Sequence, residues 1–91
     1  MKIRVIFHDV VVAETDNPIM LEGNVYFPPE DVHIEYLRPS DHHSNCWWKG
    51  ETSYYHVAVN DKLDQNAAWY YPDPSPEAQH IKAYIAFERG L

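Results

Sequence analysis

Hydrophobic and β-branched residues come in short runs separated by turn residues along this chain, a pattern that predicts mainly β structure. Ile3, Val5 and Phe7 alternate with Arg4, Ile6 and His8, as in a strand with one face on a core. A turn at His8-Asp9 leads into Val10-Val11-Val12-Ala13, and Asp16-Asn17-Pro18 breaks the chain. Ile19-Met20-Leu21 reads as the next strand, closed by Gly23-Asn24, and Val25-Tyr26-Phe27 then runs into Pro28-Pro29. Acids after proline suit a helix start, so Glu30-Asp31 with Val32 and Tyr36 at i and i+4 predicts a short helix over 30–37. Val32, Ile34 and Tyr36 also alternate as a strand would.

The second half reads in the same way. Residues 40–46 are polar and are expected to form a loop. Tyr54 to Val59 reads as a strand, Asn60-Asp61-Lys62 as a hairpin turn, and Ala67 to Tyr71 as a strand stopped by Pro72, Pro74 and Pro76. Glu77 to His80 suits one helical turn. Ile81, Ala83, Ile85 and Phe87 alternate with Lys82, Tyr84, Ala86 and Glu88, the cleanest strand pattern in the chain. Six or seven short strands and one short helix near 30–37 imply a small sandwich or a strongly bent antiparallel sheet, in a single β-rich domain over residues 1–91.

Composition narrows the partners. Fourteen acids face seven Lys and Arg, a net charge of -7, with no block of basic residues. A nucleic-acid surface needs clustered positive charge, and anionic membrane surfaces repel an acidic protein, so neither partner is expected. A single cysteine forms no internal disulfide, and there is no leader-like run and no membrane-length apolar stretch. The chain reads as cytoplasmic.

Chemistry concentrates in one window: Cys46-Trp47-Trp48-Lys49-Gly50, then Tyr54-Tyr55, then Trp69-Tyr70-Tyr71-Pro72-Asp73-Pro74. Tyr26-Phe27-Pro28, Leu37-Arg38-Pro39-Ser40, Cys46, Lys49-Gly50, Tyr54-Tyr55, Ala68-Trp69, Tyr71-Pro72-Asp73-Pro74 and Ala86-Phe87 fall in an order and spacing that resembles the domain of unknown function 427 family. The resemblance runs from about Val10 to Phe87. It implies a small, mostly β domain in which Ser40, Cys46, Lys49, Gly50, Tyr55, Trp69 and Pro72 are the positions that relatives tend to share. The family also carries the label nucleotidyltransferase-like. That chemistry needs metal-holding carboxylates beside a phosphate-cradling loop, and three glycines with no Gly-rich run offer no such loop.

The candidate site follows from the same window. We expect a small-ligand pocket walled by Tyr55 and Trp69, with Lys49 as polar anchor, Cys46 at its floor, Ser40 as a hydrogen-bonding group and Gly50 allowing close backbone approach. Lys49 would hold a negative or carbonyl oxygen; no nucleophile is assigned. Cys46 reads as a packed small side chain before it reads as a thiolate. His42, His43 and Cys46 make one half of a metal site without a second half, so neither metal nor cofactor is expected. The alternative is a non-catalytic interaction module, a homodimer burying exposed Trp and Tyr such as Trp48 and Tyr70.

Overall fold

The computed structural model of the chain describes residues 2–88. Strands β1 (Ile3–Phe7) and β2 (Val10–Thr15) form an antiparallel hairpin. Its two-residue turn, His8-Asp9, has positive φ at both positions, 51° and 68°, the backbone that matches the twist of paired strands. Val5 and Phe7 point inward as the alternation predicts, together with Val12 and Ala13. This hairpin is a small sheet of its own and covers one face of a larger one.

The larger sheet has six antiparallel strands: β3 (Ile19–Leu21), β4 (Asn24–Phe27), β5 (Leu37–Cys46), β6 (Gly50–Val59), β7 (Lys62–Tyr70) and β8 (Ile85–Phe87), in the order β3-β4-β8-β7-β6-β5. Side chains alternate across it, so each strand feeds two layers. Val25, Phe27, Val57, Val59, Ala68, Ile85 and Phe87 pack with the β1–β2 hairpin. The intervening Tyr26, Tyr71 and Ala86 turn the other way and pack with Ala78 and Ile81 of the 3-10 segment Pro76–Ile81. The first layer is sealed by Phe87, whose ring meets Phe7 at 6.1 Å and Phe27 edge-on at 5.8 Å. The fold is mainly β, and among the described residues no helix is long and apolar enough to cross a membrane.

Three segments differ from the sequence reading. In place of one helix over 30–37 there are two 3-10 turns, Pro29–Asp31 and Ile34–Tyr36. Between them Val32 is extended and bridges Ala13, because burying its side chain against β2 outweighs one more turn of helix. Residues 40–46 are not a loop but most of β5, an edge strand whose side chains are largely exposed on both faces. Its pairing with β6 slips by two residues between Pro39 and His43, a bulge that interrupts any period of two. The clean alternation over Ile81–Phe87 yields only three strand residues, since Ala83 takes φ 64° and its N–H bonds to the Tyr71 carbonyl at 3.0 Å.

Candidate functional site

Strand parity places the site. Tyr26 on β4, Trp69 on β7 with Tyr71 just beyond it, Thr52 and Tyr54 on β6, and Ser44 and Cys46 on β5 share the face away from the β1–β2 hairpin. They surround a cleft of about 430 Å³, into which Lys49, Asn24 and Asn66 also project. The Trp47-Trp48-Lys49 turn that joins β5 to β6 folds over one end of it. Ser75 pins that turn: its Oγ donates to the Trp48 carbonyl at 2.6 Å and its N–H to the Lys49 carbonyl at 2.9 Å. Gly50 follows at φ 112°, a conformation glycine adopts without strain. A side chain there would also touch the Asp73 carbonyl at 3.5 Å.

Lys49 is only 5% exposed and is the one buried charged side chain among the described residues. Its Nζ donates to Oε1 of Glu22, which sits in the β3–β4 turn, and lies 5.1 Å from the Trp48 ring and 5.4 Å from the Tyr71 ring. The Trp48 indole N–H donates to the second Glu22 oxygen, Oε2, at 3.1 Å. Both carboxylate oxygens are thereby engaged by one turn, and the ammonium is stacked between aromatic faces. Also in the cleft lining, the Trp69 indole N–H donates to the Tyr26 hydroxyl at 3.3 Å.

These contacts set the protonation states. The bond from Lys49, then that from Trp48, holds the Glu22 carboxyl below its ordinary value. Burial is the strongest influence on the Lys49 ammonium and pulls its pKa down, but the Glu22 bond together with neighbouring Tyr71, Tyr26 and Cys46 outweighs it and leaves it raised. Burial, helped by Tyr71, raises the Tyr26 phenol against the opposing indole bond from Trp69. Near neutral pH the cleft therefore presents a charged ammonium and an intact phenol, both hydrogen-bond donors. A protonated Lys49 is not a nucleophile.

The residues expected from the sequence separate into two groups. Cys46, Lys49 and Trp69 line the cleft. Tyr55 does not: it pairs with Ala68 across the sheet, stacks on Tyr70 at 4.9 Å and faces the apolar layer, because Tyr54 rather than Tyr55 stands opposite Trp69. Ser40 does not line the cleft itself; at the β5 bulge its Oγ donates to Oδ1 of the cleft-lining Asn66 and accepts from the His42 N–H at 3.0 Å. Gly50 shapes the turn without lining the cleft. Tyr70 and Trp48 are half-buried, and the indole that stands in solvent is Trp47, at 91% exposure. Among the described residues no three His, Cys, Asp or Glu side chains converge as metal ligands. Sequence reasoning counted Tyr54 and Tyr71 among the aromatics that could line a pocket or a partner surface without choosing them over their neighbours, and it assigned no role to Glu22. Tyr54 and Tyr71 were visible as one member each of an adjacent aromatic pair, whereas Glu22 carried no signal.

No curated protein matches the sequence. The sequence model of one family, a domain of unknown function (DUF427), matches residues 1–90. With nearly the whole length matched and a mainly β fold in place, the chain belongs to the domain of unknown function 427 family.

Proposed function

We propose that this domain binds a small planar ligand in the cleft between Trp69 and the Lys49 turn, through a carbonyl or anionic oxygen held by Lys49. The observation that carries this reading is the burial of a protonated lysine at a cleft wall, opposite a phenol whose proton is also retained. Desolvation of an ammonium is costly, and a solvent-facing lysine would avoid that cost. Here Glu22 takes one donor direction of Nζ, and an ammonium has three protons to give. Trp69 and Tyr54 supply ring faces for the planar part of the ligand, and Asn24 and Asn66 supply amides at the rim. Such a donor set also suits an oxygen that gains negative charge, so chemistry at a carbonyl fits the same cleft.

Titration of the labelled protein with 4-hydroxybenzoate and with nicotinamide tests this reading, following the Trp69 indole N–H by NMR. A saturable shift of that signal, lost in Lys49→Met, is the expected result. No shift with either probe, or an unchanged shift in Lys49→Met, would overturn it.

A further inference from the structure

A second concavity lies outside the cleft, on the solvent side of the same turn. It has a volume of about 690 Å³ and is lined by Trp47, Trp48, Ser75 and Glu77. Trp47 is 91% exposed, the most exposed large hydrophobic side chain among the described residues. Leaving an indole in water forgoes the stabilisation that burial would bring, and the backbone of the turn that carries Trp47 is braced. Ser75 holds the carbonyls of both residues that follow it, Trp48 and Lys49. Ser75 also precedes the Pro76–Ile81 segment that carries Glu77. The two indoles and the carboxylate are thus presented from a braced corner rather than from a free loop.

Charge decides what fits there. The chain carries -7 overall, and the one ionisable side chain lining this notch is an acid. Anionic partners are repelled. A cation gains twice, from the carboxylate and from the electron-rich indole face. The turn already shows that pairing internally, since the Lys49 ammonium lies 5.1 Å from the Trp48 ring. We propose that the Trp47–Glu77 notch is a docking site for an arginine side chain of a partner protein. A guanidinium stacks flat on an indole while its edge donates to a carboxylate, a geometry an ammonium does not match. This site shares no lining residue with the ligand cleft.

The three indole N–H signals make the test local. The labelled protein is titrated with a blocked tri-arginine peptide at low salt, with a blocked tri-norleucine peptide as control. The Trp47 signal should shift saturably with tri-arginine, and less so as salt rises. Glu77→Gln should weaken binding about threefold and Trp47→Ala about fivefold, the range expected of exposed cation–aromatic and ionic contacts. Both residues are on the surface, and matching melting curves for the variants establish that the fold is intact. Equal binding of tri-norleucine, an undiminished affinity in Trp47→Ala, or a shift of the Trp69 signal alone would overturn the proposal. So would a dimer in sedimentation that Trp47→Ala dissociates, because the occupant would then be a second copy of the chain.

Discussion

The two faces of the six-stranded sheet are made from alternate residues of the same strands, yet they are opposite in character. The face under the β1–β2 hairpin is filled with Val, Ala, Ile and Phe, and its members are nearly all excluded from water. The other face packs Ala78, Ile81 and Ala86 with Tyr26, Trp69, Tyr71 and Trp48, residues with an apolar body and a polar tip, and the Lys49 ammonium lies against the rings of Trp48 and Tyr71. Only a short 3-10 segment covers part of it. The difference teaches that stability and candidate chemistry are divided by strand parity. One layer holds the sheet together, which frees the other to leave donors facing a cleft.

That division can be broken from either side. The largest effect is expected from Phe27→Ala. Its side chain is fully buried in the apolar layer, and deleting it should cost about 3–5 kcal/mol in chemical denaturation. Trp69→Ala on the opposite face should cost about 2 kcal/mol, because the ring is half-buried and lines a cleft rather than filling a core. If Trp69→Ala matched Phe27→Ala, the two faces would be equally structural and the contrast would fail. Lys49→Met preserves the volume of the side chain, and a loss of about 1 kcal/mol is expected, the middle of the range for single substitutions. A loss as large as that of Phe27→Ala would make Lys49 a structural pillar of the fold.

The smallest effect sharpens the comparison through pH. The folded-state pKa of Glu22 is lowered, so its contribution is fully present above its ordinary value of 4.5 and is lost only as pH falls through the depressed value. The folded-state pKa of Lys49 is raised, so its contribution is fully present below 10.5 and is lost as pH rises through the raised value. The stability difference between wild type and Glu22→Gln should therefore be flat between these two ordinary values and shrink at both extremes. Melting curves across pH check this, and a difference that changed around neutrality would mean that another group governs the pair.

Much of the fold was legible because the chain marks its turns chemically. Asp16-Asn17-Pro18 and Asn60-Asp61 stand where the strands break, and Ile3–Phe7 and Val25–Phe27 alternate or run apolar as strands should. β5 was illegible for a physical reason. An edge strand with side chains exposed on both sides, interrupted by a bulge, has no inward face to impose a period. β8 was overextended because its flanking residues alternate by coincidence while Ala83 turns the backbone.

The site was legible in composition but not in parity. Cys46, Lys49 and Trp69 stood out through their density with other aromatics, and they do line one cleft. Choosing between Tyr54 and Tyr55 required the β6–β7 register, and a shift of one residue exchanges the two faces. Ser40 reaches the cleft only through its bond to Asn66, beside a bulge that no local pattern announces. Glu22 lies 27 residues before Lys49, and only the pairing of distant strands brings its carboxylate over the ammonium.

The strand order has a consequence for how the molecule comes into being. β8 is last in sequence yet lies between β4 and β7, where it joins the β3–β4 hairpin to the β5–β6–β7 meander. A nascent chain emerging from the ribosome can form both of those pieces early. Until residues 85–87 are available to pair, nothing in the sheet bonds one piece to the other, so both the apolar layer and the lysine cleft are completed only when β8 docks.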